Sequence, residues 1–255
     1  MFNDMVGTAP GAVTERIGAL ACKYHMHIIC SQYEKVEGKV YNAAVLLGRE
    51  GGIVGKYHKV QMPAVERWTV TPGDSFPVFH TDFGTVGILV CYDMEFPEVT
   101  RSLVLNGAEV LFCPTMGVST RGMIAGNGLI RMQARAMENC VPIVISTCRA
   151  ETMIVNSDGG LLAMARPGVE DVIFATIDLD GTPVEHSEWE FLTGTSDVKA
   201  RHLQERLPQV FTTLTDPHPP VLERFRDKPL RPAPEDRESL FAERTRWWAE
   251  HRPEG

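Results

Sequence analysis

Two side chains have the types and settings that nucleophilic chemistry needs: Cys91, at the sharp end of an apolar run, and Lys59, 32 residues before it. Val86, Ile88, Leu89 and Val90 form a short continuous apolar stretch, the mark of a strand buried on both faces, and the strand is expected to stop at Cys91. Pro97 and Glu98 suit the first turn of a following helix, where a missing N–H costs nothing and a carboxylate meets the positive dipole end. Asn106-Gly107 closes that helix. A thiol between a strand end and a helix entry lies at a tight turn beside backbone N–H groups, which can stabilise both a thiolate and an oxyanion. Taken alone, one such cysteine reads as a structural residue, and one lysine on a strand end as a solvated charge.

The elements around these residues give them a frame. Lys59 follows a hairpin, with strands expected at 40–47 and 53–57 and a turn at 48–52. Residues 131–139, RMQARAMEN, read as a helix with small residues for close packing, running into a buried strand at 142–146. Upstream, Val13, Ile17, Leu20, Ala21 and Tyr24 form a helical stripe, followed by a strand at 27–30. Further strands are expected at 110–112 and 172–178, and a hairpin of 153–156 and 161–165 around Ser157-Asp158-Gly159-Gly160. The alternation predicts an α/β domain over residues 1–215.

In this order and at these spacings, YHK (57–59), CYDxxFPE (91–98), RxLxxxGA (101–108) and ARAxEN (134–139) resemble the nitrilase superfamily of carbon-nitrogen hydrolases. The similarity spans roughly residues 14–215 and takes in the YNAAVLLGREGGIVGKYHK hairpin, the PGD at Pro72 and the RLPQVFTTL segment near Arg206. It implies a four-layer αββα sandwich of two mixed sheets that pairs into homodimers or larger homo-oligomers. It also implies a Glu-Lys-Cys site acting on a small amide or nitrile through a thioester. By resemblance, Cys91 is the nucleophile, Lys59 the cation facing the oxyanion, and the Tyr92 N–H a second oxyanion donor. Glu66, seven residues beyond Lys59, is either the second site glutamate found in some members or a surface-loop carboxylate. Tyr92, Met94, Glu95, Thr115 and Met116 would line the acyl pocket. Relatives that act on amides of dicarboxylates often carry a basic residue where this chain has Glu95, so a neutral or amine-bearing amide is expected.

One element of the family pattern has no counterpart. The general-base glutamate lies in a proline-glutamate motif well upstream of the hairpin, and the first recognisable element here is already the helix that follows it. The chain is therefore expected to be N-terminally incomplete, short of roughly one βαβ unit. Glu34 is not a replacement, because by resemblance it belongs to a different acidic position. Three readings stay open: a fragment or misassigned start, a short member that has lost catalysis and binds a partner or small molecule, or another carboxylate, Glu66 or Glu95, serving as base. Nitrile hydrolysis is a further enzyme alternative.

Composition narrows the classes. The 255 residues are 44% apolar with a net charge of −8 and dispersed basic residues, which argues against a nucleic-acid surface. No run of apolar residues is long enough for a membrane span, and no secretory signal is visible, so a cytoplasmic location is expected. Cys22, Cys30, Cys91, Cys113, Cys140 and Cys148 show no paired spacing and read as reduced thiols. His25 and His27 lack further ligands at metal spacing, and neither glycine-rich turn is a phosphate loop, so no cofactor or metal is expected. Residues 216–255 form a Pro-rich tail, with a possible amphipathic helix at 235–251 carrying Leu240, Phe241, Trp247 and Trp248 and expected to serve a subunit contact.

Overall fold

The computed structural model describes residues 6–116, 127–148, 151–166, 168–181 and 183–227, together with 243 and 246. The first sheet comprises β1 (Val6–Gly7), β2 (Ile28–Val36), β3 (Lys39–Leu47) and β4 (Ile53–His58) in that order, with β1 parallel to β2 and the others antiparallel. Helix α1 (Ala12–Tyr24) leads into β2. The second sheet is built from β5 (Val78–Thr81), β6 (Gly84–Ile88), β7 (Val110–Thr115), β8 (Ile143–Thr147), β9 (Met153–Val155) and β10 (Leu161–Met164). Its centre, β6-β7-β8, is parallel, and its flanks are antiparallel. Helices α2 (Pro97–Leu105) and α3 (Asn127–Asn139) supply the crossovers of the parallel strands.

Three apolar clusters define four layers. Because side chains alternate along a strand, β3 sends Val45 and Leu47 toward Ala21 of α1 and sends Ala44 and Leu46, with Tyr57 of β4, toward Val86, Ile88 and Val110 of the second sheet. The far face of the second sheet buries Leu111, Ile143 and Ile145 against Val99 and Leu103 of α2 and Met132 and Ala136 of α3. Full burial of one such leucine or isoleucine contributes about 1.5–3 kcal/mol. The αββα sandwich of two mixed sheets is therefore the observed architecture.

Several local expectations are corrected. Strand β2 runs nine residues rather than the four expected at 27–30, in register with β3 from Ile28 opposite Leu47 to Val36 opposite Lys39. Glu37 and Gly38 turn the chain with φ of 48° and 80°, a two-residue turn with both centres left-handed, which a Glu-Gly pair does not announce in sequence. In α1 the buried residues are Thr14, Gly18 and Ala21, whereas Val13, Leu20 and Tyr24 of the expected stripe are exposed. The helix is rotated because Gly18 rests against the β3-β4 turn, where a Cβ would come within 2.3 Å of the Gly51 carbonyl oxygen. Residues 172–178 form no strand, and Val172 and Phe174 face solvent. A run of β-branched and aromatic residues supplies side chains suited to a ladder but not a free edge to pair with.

The chain divides into two compact units, Met1–Arg206 and Leu207–Gly255. In the second, the described residues form 3-10 turns at Pro208–Val210, Thr212–Thr215 and Pro220–Phe225, with none of these residues buried. Short helices α4 (Glu188–Thr193) and α5 (Val198–Gln204) complete the first unit. The helix expected at 235–251 lies outside the described residues apart from Glu243 and Arg246. Among the described residues, no helix is long and apolar enough to cross a membrane.

Candidate active site

Strand β6 ends at Ile88, and one more ladder bond follows, from the Leu89 N–H to the Phe112 carbonyl at 3.0 Å. The chain then tightens into a 3-10 turn, Cys91–Glu95, whose first residue has φ of 51°. A left-handed conformation in a residue with a Cβ costs on the order of 1 kcal/mol or more and persists only where the surroundings enforce it. That conformation swings Cys91 out of the strand direction and leaves it half-buried at the strand's carboxyl end. The opening N–H groups of a helical turn have no partners within the turn, and that of Tyr92 is one of them.

Lys59 lies one residue past β4. Its N–H still bonds the Asn42 carbonyl at 2.9 Å, so the ladder fixes its direction. Its side chain is buried, and the ammonium donates to Glu66 Oε2 at 2.6 Å. Glu66 comes from the 3-10 turn Ala64–Trp68, and its other oxygen accepts from Asn42 Nδ2 at 2.7 Å. The surface-loop reading of Glu66 thus gives way to a carboxylate clamped on the lysine. Period-two alternation puts Tyr57 on the same face as Lys59, and Lys56 and His58 on the other.

Asp93 joins the lysine segment to the cysteine turn. It is fully buried: Oδ2 accepts from the Tyr57 hydroxyl and the Val90 N–H, both at 2.8 Å, and Oδ1 accepts from the Gln61 N–H, also at 2.8 Å. Burial raises its proton affinity, opposed by these three donors and by the Lys59 charge. Burial likewise raises Tyr57, with the Asp93 charge adding to it. Cys113, wholly buried on β7, is pushed well up by burial, against the Cys91 backbone N–H that points to its sulfur. Tyr33, on β2 directly opposite Asn42, is raised by burial and then by the negative groups of Glu66 and Cys91. Hydrogen bonds thus tie Lys59 to Glu66 and Asn42, and tie the Lys59 segment to the Cys91 turn through Asp93.

The residues expected to line the acyl pocket divide. Tyr92 is exposed, edge-on to Phe96 with ring centroids 5.4 Å apart. Thr115 ends β7 opposite Thr147, and Met116 after it is exposed. Met94 is a correction: at 3% exposure it packs in the core beneath the second sheet, because the 3-10 turn points it inward with Leu89 and Val99. Glu95 is not a lone acid, since Arg131 of α3 donates to it at 2.6 Å and Arg135 reaches its carbonyl. Glu34 points to the opposite face of the first sheet, bonded to Lys56 at 2.6 Å and His58 at 2.7 Å. Sequence reading missed Asn42, Tyr57, Tyr33 and Asp93. The signal for Tyr57 was its period-two spacing from Lys59; Asn42 and Tyr33 become neighbours only through the β2-β3 register.

A cysteine with left-handed backbone, on a turn that Asp93 ties to the segment of a buried lysine-glutamate pair, is joined by a match of residues 2–183 to the family model described as carbon-nitrogen hydrolase. The chain belongs to the carbon-nitrogen hydrolase family. This hydrolase-family chain is 29% identical over 227 residues to a probable nitrilase of Schizosaccharomyces pombe, covering 84% of the chain and 78% of that protein. It is 30% identical over 200 residues to N-carbamoylputrescine amidase of Arabidopsis thaliana, covering 68% and 67%. Among solved structures, the carbon-nitrogen hydrolase of Helicobacter pylori G27 superposes with a TM-score of 0.67 at 26% identity, covering 79% of this chain and 75% of that one. A mutant of the amidase from Nesterenkonia sp. AN1, in which acrylamide has added to the active site cysteine, superposes with a TM-score of 0.53 at 25% identity, covering 61% and 65%.

Proposed function

We propose that this protein is an amidase-type hydrolase that cleaves the carbon-nitrogen bond of a small, non-peptide amide through a thioester on Cys91. The observation that carries the reading is the buried Lys59–Glu66 pair, at 2.6 Å, on the sheet face that meets the Cys91 turn. Cys91 Sγ attacks the amide carbon, and the carbonyl oxygen takes the negative charge. The Lys59 ammonium and the Tyr92 N–H meet that charge where it develops, which is the most effective place for a fixed donor. The carbon-nitrogen bond then breaks, the nitrogen leaves with the proton given up by the thiol, and ammonia or an amine departs. Water adds to the thioester, releases the acid and restores the thiol.

Glu66 is assigned to holding Lys59, since both its oxygens already accept hydrogen bonds. Arg131 is committed to Glu95 at 2.6 Å and so is not a free cation for a substrate carboxylate, which disfavours an amido acid against an uncharged or amine-bearing amide. Turnover of propionamide, 4-aminobutyramide and succinamate, read as released ammonia or acid, tests both parts. The expected result is hydrolysis lost in Cys91→Ala, an acyl mass on the Cys91 peptide after acid quenching, and succinamate the slowest substrate. Full hydrolysis by Cys91→Ala would end the mechanism, and succinamate as the fastest would overturn the charge preference.

A further inference from the structure

We propose that Asp93 is a positioning residue that ties the Lys59 segment to the Cys91 turn and so fixes the spacing between ammonium and thiol; the inference rests on the pairing of those two groups described above. Its contacts flank both. Tyr57 and Gln61 lie two residues before and two after Lys59, while Val90 directly precedes Cys91 and Asp93 itself lies two beyond it. One carboxylate therefore holds three donors drawn from two segments, one continuing the first sheet and one leaving the second.

Beside these bonds, the two sheets also meet through apolar side chains. Ala44, Leu46 and Tyr57 meet Val86, Ile88 and Val90, and such contact favours closeness without direction. It does not fix one sheet edge against the other to within an ångström, yet a misplacement of about 1 Å in a reacting group can cost roughly a hundredfold in rate. A fully satisfied buried carboxylate supplies direction, because the bonds from Tyr57 and Gln61 cross between the segments and are lost if either slides, while the Val90 N–H fixes the carboxylate on its own turn. Burial makes that carboxylate costly to ionise, and the donors offset the cost. An apolar side chain would fill the space but could not accept from Gln61, Val90 and Tyr57. In Asp93→Asn the amide nitrogen must face at least one of the N–H donors, setting donor against donor.

The test is alkylation by iodoacetamide of the full chain at fixed pH, with each thiol followed by peptide mass mapping and exposed Cys22 as the internal reference. The variants are Asp93→Asn, Lys59→Met, the two combined, and Tyr57→Phe, each with its thermal unfolding recorded. Asp93→Asn is expected to slow Cys91 by about tenfold or more while Cys22 keeps its rate. In the Lys59→Met background the same change is expected to add less than about twofold, since the residue acts through the lysine. Tyr57→Phe, which removes one of the three donors and keeps the ring, should slow Cys91 by less than Asp93→Asn does; if Asp93→Asn does not fold, it carries the same cycle.

A folded Asp93→Asn with unchanged Cys91 alkylation would overturn the inference. So would an equal slowing with and without Lys59, which is the mark of general loosening. If Lys59→Met alone leaves Cys91 unchanged, it is the thiol-lysine reading that fails, and the two failures are told apart in one experiment.

Discussion

Two lysine-glutamate pairs sit on opposite faces of the same sheet, both at 2.6 Å: Lys56 with Glu34 on the outer face, and Lys59 with Glu66 on the inner one. The outer pair is closed on itself. Glu34 is buried and also bonds His58, Lys56 reaches the Ala9 carbonyl at 3.0 Å, and His58 stacks on Tyr41 with centroids 4.2 Å apart. The inner pair shares its surroundings with Asn42, Tyr33, Asp93 and the half-buried thiol of Cys91. Distance and residue type are the same in both, so neither decides role. What differs is the surroundings: a backbone carbonyl near α1 in one case, the turn that carries the Cys91 thiol at a strand end in the other.

Removing the inner cation should have the largest effect. Lys59→Met is expected to lower turnover by about a hundred- to a thousandfold, as removal of one oxyanion donor does, measured as ammonia release from the preferred amide. The matched change on the outer face, Glu34→Gln, should leave Cys91 alkylation within about twofold while lowering unfolding stability by roughly 1–3 kcal/mol in urea. That figure is reduced from the buried-pair range because the Lys56 side chain is 32% exposed. Equal loss of thiol reactivity from both changes would dissolve the distinction.

Smaller effects sharpen the comparison. Gly18→Ala, which forces α1 away from the Gly51 carbonyl, should cost about 1–2 kcal/mol of stability and leave turnover unaltered, read by calorimetry and ammonia release together. Asp93 gives a pH signature of the inner site. Its folded proton affinity is raised, so between the ordinary Asp value of about 3.9 and the raised folded value the native state binds more protons than the unfolded one. Stability from this residue is therefore highest at low pH and falls as pH rises through that window. In urea unfolding over a pH series, the wild-type stability minus that of Asp93→Asn should decline upward from about pH 4. A difference that rises with pH would mean the carboxylate is more stable ionised in place than in water.

Much of the site is legible in the sequence. Cys91 follows from an apolar run that has to end, and Lys59 from a hairpin with unmistakable turn residues. Pattern alone makes β2 too short because Glu37-Gly38 lacks the usual Asn or Asp of a left-handed turn. The family resemblance offers Met94 as a pocket residue because it follows Cys91 closely, but closeness in sequence says nothing about which way a 3-10 turn directs a side chain, and Met94 packs in the core. Residues 172–178 are rich in β-branched and aromatic side chains, but a strand needs a partner edge, and sequence pattern does not report one.

The sequence by itself determined the α/β class and the buried core strands, because these depend on local pattern, and it marked Cys91 and Lys59 as candidates through the order and spacing of motifs that resemble a known family. Tertiary structure decided which carboxylate serves which lysine. Glu34 and Glu66 are both acids near the same hairpin; strand register and parity send Glu34 to the outer face with Lys56, and the 3-10 turn Ala64–Trp68 folds Glu66 back onto Lys59. It decided as well that Asp93 faces Gln61 and Tyr57 rather than solvent, since that meeting depends on two sheets packing face to face, with no short-range signal in either segment.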